Sequence, residues 1–318
     1  MKKIITLGAA VQDVFLAGKA LKAHKEDGEM VQAFELGSKN EIDSVIISTG
    51  GGATNAAVTF ARAGLHTCFL GRLGDDVSAK VVLDDLHKEG IDTSLIKYDD
   101  KLGTGYSTIL LSPNGERTVL VYRGASQTYD LKTADFHDTN ADWMYISSLS
   151  GDTDALKTAI KYAKSRDIKV AVNPGKLELE HLKQLKDLLD DFDILSLNKE
   201  EMQSLFKGES PKELLQEAAK HISTVLLTDG PKGSYATDGT HLFKAGMYED
   251  VKVIDRLGAG DAFSSGFVCM IASGESVEHA LTYASANSTS VVTKIGAKTG
   301  ILHKTAKIHS MPIEVTNL

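Results

Sequence analysis

The tightest constraint on the fold is a rhythm. Short apolar runs rich in β-forming residues alternate with stretches of helical length along most of the chain. The strand-like runs are 3–7 (ending at Gly8), 67–70, 143–146, 169–172, 193–197 and 224–227. Between them lie helical stretches at 54–63 (closed by Gly64), 78–89 (closed by Gly90), 154–165, 177–189 and 211–221. Buried strands separated by ten to fifteen helical residues predict an α/β fold with a mainly parallel sheet covered on both faces.

Two regions break the rhythm. Residues 14–48 hold alternating, partly polar segments at 30–34 and 44–48. Residues 103–123 read as a hairpin: 105–111, a turn at Ser112-Pro113-Asn114-Gly115, then 117–122. Neither has a good helical pattern, and together they predict a small antiparallel sheet projecting from the body, suited to a lid that excludes water. Near the C-terminus the order changes again: a hairpin of 234–237 and 241–244 around Asp238-Gly239, a strand at 251–254, a glycine-rich turn, and helices at 262–272 and 277–293. No internal repeat of 20–50 residues and no low-complexity block interrupts the pattern.

Composition narrows the function classes. Lys and Arg number 35 against 43 Asp and Glu, a net charge of −8. That argues against a nucleic-acid binder relying on a basic surface and against a membrane-surface protein with a cationic face. Apolar stretches of roughly ten residues or fewer are too short to span a bilayer. The two N-terminal lysines and short apolar run resemble a signal peptide only superficially, because Asp13 interrupts the run; it reads as a first buried strand. The two cysteines, Cys68 and Cys269, form no CxxC pair and read as buried free thiols in a reducing cytoplasm. Many glycines (28) with few prolines (5) suit an α/β enzyme with many tight turns.

The chemistry concentrates in a few loops. Asp255-Arg256-Leu257-Gly258-Ala259-Gly260-Asp261 leads from a strand through small residues into a helix. Bare backbone N–H groups at a helix N-terminus form a ready anion site. Asp261 at its rim either caps the helix or takes a proton from a hydroxyl while the turn holds a phosphoryl group. A second cluster, Gly50-Gly51-Gly52-Ala53-Thr54-Asn55, is neutral and suits a polyhydroxylated ligand, with Asn55 both donating and accepting, or serves only as a turn. Asp13 stands at the end of the first strand, where carboxylates point into the usual ligand crevice. Asn198 and Glu201 lie one helical turn apart after a strand, and Thr228-Asp229-Gly230-Pro231-Lys232-Gly233 follows another.

In this order the motifs resemble the ribokinase-like carbohydrate kinases, the phosphofructokinase-B family. The resemblance runs from about residue 4 to 301. Its most specific part is the C-terminal signature Asp-Thr-x-Gly-Ala-Gly-Asp, read here from Asp255 to Asp261 with Arg256 in place of Thr. Gly50-Gly51, Asn55, the Gly71–Asp76 stretch, Asn198-x-x-Glu201 and Thr228-x-Gly230-x-x-Gly233 complete it. The resemblance implies a three-layer α/β/α sandwich whose nucleotide-binding body comprises 1–13, 49–102 and 124–318, with a β-sheet lid at 14–48 and 103–123. It implies ATP-dependent phosphorylation of a sugar hydroxyl. Asp261 takes the role of general base, and the N–H groups of Gly258, Ala259 and Gly260 that of the anion hole. Asp13, Gly51, Gly52 and Asn55 become sugar contacts. Asn198 and Glu201 organise Mg²⁺ and phosphates through water. Thr228, Gly230, Gly233, Ser285 and Asn287 fall at the nucleotide. Arg256 either adds charge near the phosphates or points to solvent; Arg123 either meets an anionic substrate or is a surface residue on a β-edge. Tyr106 and Tyr122 either stack on the substrate or pack the lid. A monovalent cation such as K⁺ would fall beside Asp255, the Leu257 carbonyl and the 291–296 backbone, although the hydroxyl expected near this loop is Gly300. The substrate implied is a pentose or ketohexose, with a nucleoside kinase or a silent sugar- or nucleotide-binding regulator as the alternatives. Pairing into a homodimer through the lid and a cytoplasmic location complete the expectations.

Overall fold

The computed structural model describes every residue except 114, 115, 138, 249 and 250, so Asn114 and Gly115 of the hairpin turn lie outside the described residues. Among the described residues, a nine-stranded sheet forms the centre. Six strands are parallel, in the spatial order Thr224–Thr228, Ile194–Asn198, Lys169–Val172, Trp143–Ile146, Lys3–Leu7, His66–Leu70. Three antiparallel strands, Ser234–Thr237, His241–Ala245 and Ile313–Asn317, extend one edge.

Successive strand residues enter opposite cores, which is why these runs are apolar without alternation. Ile5, Leu7, Met144 and Ile146 pack with helices Thr153–Ser165 and Pro211–Ala218 on one face. Ile4, Trp143 and Tyr145 pack on the other with helices Gly52–Arg62, Ala259–Ala272 and Val277–Val292. This is the expected α/β body with a mainly parallel sheet between two helical layers. Polar caps set the helix starts: Asp76 accepts from the Ala79 N–H, and Ser210 with Glu213 forms a capping box ahead of Pro211.

The small sheet has the order Arg117–Tyr122, Gly105–Leu111, Val11–Ala17, Ser44–Gly50. It is mixed, not purely antiparallel: Val11–Ala17 runs parallel to Gly105–Leu111. Asp13 therefore does not end the first strand. It sits inside the second, a central strand of the small sheet, paired with Ser107 and Ser48. The 30–34 segment stays outside this sheet; Glu29–Val31 pairs only with His24–Glu26.

Three further expectations are corrected. The 177–189 helix is broken into Lys176–Leu179, Leu182–Lys186 and a single 3₁₀ turn at Leu189–Asp191. Glu178 explains its first part, because its buried carboxylate turns inward to accept from the N–H groups of Leu149, Gly151 and Gly175. No strand forms at 251–254; the Ile254 and Asp255 N–H groups instead donate to the Val292 carbonyl at 2.7 and 3.2 Å, drawing this segment to the end of the Val277–Val292 helix. The open sheet edge is taken by Ile313–Asn317. The helix expected from 262 starts at Ala259, one turn earlier, so Asp261 is its third residue and Gly258 its cap.

Candidate active site

The site is built on the turn before the Ala259–Ala272 helix. Asp255 ties two loops together: its carboxylate accepts from the Leu257 N–H at 3.0 Å and from the Gly296 N–H at 3.1 Å. Gly258 then adopts φ 78°, the left-handed region. A Cβ there would also fall 2.5 Å from that of Ala297, so the turn has room for glycine alone. At Gly260 the reverse holds. No protein atom lies within 4 Å of where a Cβ would stand, so the space over the helix start is open. The N–H groups of this first turn have no intrahelical acceptor and carry the positive end of the helix dipole. That of Ala259 leans towards the Arg256 carbonyl at 3.3 Å, leaving Gly260 and Asp261 the freer donors.

Asp261 points back across this opening. Its Oδ2 accepts from Asn55 Nδ2 at 2.8 Å, joining two helices 206 positions apart in sequence. Burial pushes the Asp261 carboxyl above its ordinary range, and the Asn55 hydrogen bond partly opposes that shift. The glycine cluster packs against both acidic side chains. A Cβ on Gly52 would lie 3.4 Å from Asp261 Oδ1, and one on Gly50 would collide with Asp13 Oδ2.

Two cavities meet here, sharing Thr228 and Gly260. The first, about 320 Å³, is lined by Gly230, Gly233, Tyr248, Arg256, Ala259, Phe263 and Ser285 among others. The second, about 330 Å³, holds Asp261 and runs along the carboxyl ends of parallel strands, past Ser147, Asn173, Asn198 and Thr228. Buried polar atoms without a partner mark both: Ser285 Oγ and Ser234 Oγ at the first, Ser147 Oγ at the second, and Asn55 Oδ1 beside Asp261. Such atoms are costly unless a ligand or water meets them.

The other sequence-derived residues divide between the site and the scaffold. Gly52, Asn198 and Glu201 line the second cavity. Asn198 and Glu201 also cap their own helix reciprocally, at 2.9 and 3.0 Å, and burial raises the Glu201 carboxyl. Gly51 makes the left-handed turn, φ 98°, that starts the Asn55 helix. Asn287 lines neither cavity. It is fully buried, donating to the Ala262 carbonyl and accepting from the Leu302 N–H, which uses both ends of its amide within the core. Arg123 is exposed and lies outside both cavity linings. Tyr106 and Tyr122 pair directly across two strands of the small sheet, one register step from the Ser107–Val121 pair that neighbours Asp13, and so face away from it.

Three features escaped the sequence reading. Ser147 follows a parallel strand directly, a position that the strand-end rule flags. Lys298, 5% exposed, donates to Thr49 Oγ1 at 2.7 Å and to Asp85 Oδ2 at 3.1 Å, and Thr49 donates to Asp85 in turn. Arg117 of the small sheet pairs with Asp255 at 3.3 Å. Nothing local distinguishes these last two side chains from surface charges; only the packing of the small sheet on the body buries them.

A mixed, mainly parallel sheet between helical layers, with a small separate sheet and an open glycine turn facing a half-buried carboxylate, defines the class of sugar and nucleoside kinases. The chain belongs to the pfkB family of carbohydrate kinases, whose model matches residues 25–304. It is similar to a ribokinase of Staphylococcus aureus (strain COL), 27% identical over 309 residues covering 94% of this chain and 96% of that protein. Its fold is similar to that of a nucleoside kinase of Methanocaldococcus jannaschii (TM-score 0.78, 22% identity, 95% of each chain). It is also similar to that of an Arabidopsis thaliana ribokinase solved with ribose and ATP (TM-score 0.75, 23% identity, 95% of this chain and 96% of that one). The protein is thus an ATP-dependent carbohydrate kinase of this family, and no helix among its described residues is long and apolar enough to cross a membrane.

Asp13 yields a prediction with a sign. Burial raises its carboxyl from 3.8 to about 6, with the Ser107 hydrogen bond and Lys298 pulling it back. A folded-state value above the unfolded one means that the fold favours the neutral acid. The stability this gives is full below pH 3.8 and is lost as pH rises through 6. Asp13→Asn should therefore melt higher than the parent protein at pH 8, with a gain on the order of 3 kcal/mol. The gain should vanish below about pH 4, as thermal melts across pH will show.

Proposed function

We propose that the protein transfers the terminal phosphoryl group of ATP to a hydroxymethyl group of a small sugar, a pentose or ketohexose. The observation that carries this is the placement of Asp261: half-buried, held by Asn55, and set where the two cavities meet at an open helix N-terminus. In this reading the first cavity takes the nucleotide, with Thr228, Gly230, Gly233 and Ser285 around the base and ribose and Arg256 beside the phosphates. The second takes the phosphates at its Asn198 end and the acceptor at its Ser147 end. Asp13, Asn55, Gly51 and Gly52 set the sugar.

Phosphoryl transfer needs alignment and charge neutralisation more than covalent help. Asp261 accepts the hydroxyl proton as the oxygen attacks, and its raised basicity suits that task. The first-turn N–H groups stabilise charge on the moving phosphoryl group. The small sheet, standing over this side with Asp13, keeps water from competing. For Mg²⁺, no cluster of three acidic, His or Cys side chains able to hold a metal occurs among the described residues. The half-buried Glu201 carboxylate and Asn198 fit a water-mediated ion shared with ATP, which would neutralise phosphate charge when bound.

A sugar is favoured over a nucleoside because the second cavity is lined by Ser, Asn and Gly with no aromatic ring, and Tyr106 and Tyr122 face away. A silent regulator would not need a carboxylate held at the phosphate turn. The test is a panel of pentoses, ketohexoses and nucleosides scored for ADP release. The best acceptor should be a sugar, and Asp261→Asn should lower its turnover by roughly 10²–10⁴-fold while ATP binding persists. Near-parental turnover of the variant contradicts the assignment, and ATP binding without transfer to any acceptor would restore the regulator.

We also propose that two copies pair through the outer face of the small sheet. There Val45, Ile47, Leu120 and Tyr122 are exposed, and Ile47, Val14, Thr108 and Leu120 lie in one row across the four strands. A contiguous apolar face of this kind marks an interaction surface. Sedimentation should report a dimer that Leu120→Lys dissociates; a monomeric parent protein contradicts the pairing.

A further inference from the structure

Asp255 is a carboxylate with its side chain 2% exposed, and its charge needs a partner. The family resemblance supplies one in a monovalent cation, but the residues here do not fit that group. Both Asp255 oxygens already accept backbone N–H groups, from Leu257 and Gly296. The position expected to contribute a hydroxyl is Gly300, and even a Cβ there would lie 2.3 Å from the Ser290 carbonyl oxygen. What meets Asp255 is a guanidinium: Arg117 Nη1 stands 3.3 Å from Oδ1.

Arg117 is not part of the body. It opens the outer strand of the small sheet, paired with Leu111, which pairs with Ala17 in turn. Ala17 and Asp13 are four residues apart on one strand, so Arg117 projects from the face that carries Asp13. The cation that balances the phosphate-binding turn thus arrives with the sheet that covers the acceptor side. Asp255 in turn braces both loops that shape Gly258, through Leu257 and through Gly296 next to Ala297.

We propose that Arg117 is a positioning residue that replaces a monovalent cation: it balances Asp255, makes the kinase independent of K⁺, and couples seating of the small sheet to the geometry of the anion-binding turn. This rests on the kinase reading above, and the experiment separates the two. The full chain is melted, and its turnover on the best acceptor of the panel measured, in chloride salts of K⁺, Na⁺ and tetramethylammonium at constant ionic strength. The expected result is equal turnover and equal melting temperature in all three. Arg117→Ala should lose about tenfold or more in turnover in tetramethylammonium. It should recover on adding guanidinium, and Arg117→Lys should retain most activity. A several-fold activation or a melting rise of the parent protein specific to K⁺ overturns the proposal, as does an Arg117→Ala enzyme unchanged in tetramethylammonium. A loss in Arg117→Ala that guanidinium does not relieve also overturns it, since the arginine would then do more than balance charge. If no acceptor is phosphorylated, the kinase reading fails, while the salt dependence of melting still decides for or against a K⁺ site. If Arg117→Ala does not fold, the parent protein and Arg117→Lys decide.

Discussion

The structure depends on one carboxylate partly withdrawn from water at the start of a helix. Asp261 loses solvation in the fold, and the cost is offset by the Asn55 hydrogen bond and the positive end of the Ala259–Ala272 helix. Each compensation imposes a demand elsewhere. Asn55 must arrive on its own helix, which needs the left-handed turn at Gly51, where a Cβ would lie 2.3 Å from the Ala9 carbonyl oxygen. The helix start must stay open, which requires glycine at 258 against Ala297 and nothing above Gly260. The two glycine clusters, some two hundred residues apart in the chain, are thus parts of one construction.

The same reasoning explains the acidic balance of the chain. A site for a polyanionic nucleotide does not need a basic protein. It needs local donors where the charge develops, and in the proposed reading backbone N–H groups, Arg256 and a shared metal ion would meet that need without a cationic surface. Net charge is free to be set by solubility.

Much of the body was legible in the sequence because strands buried on both faces leave unbroken apolar runs. The hairpins at 105–122 and 234–245 were equally legible, through their alternation and turn residues. Interactions between distant segments were not. The run 251–254 has strand composition, but two hydrogen bonds to Val292 and competition from Ile313–Asn317 keep it out of the sheet. Asp13 reads in the sequence as a carboxylate at the end of the first strand, yet its strand belongs to the small sheet, and no local pattern says to which sheet a strand will pair. Asn287 lies near the nucleotide side in sequence order, and only packing shows its amide turned into the core. Arg117 and Lys298 acquire their partners through the docking of the small sheet, which sequence periodicity does not encode.

The central claim, that Asp261 accepts the proton and Asn55 tunes it, is tested most directly by the pH dependence of kcat. The carboxylate must be ionised to act, so turnover should fall as pH drops through its value in the enzyme, above the ordinary carboxylate range. Asn55 holds that value down, so Asn55→Ala should move the acid limb to higher pH while a parent-like fold is retained. An acid limb at the same pH in both enzymes would contradict the account.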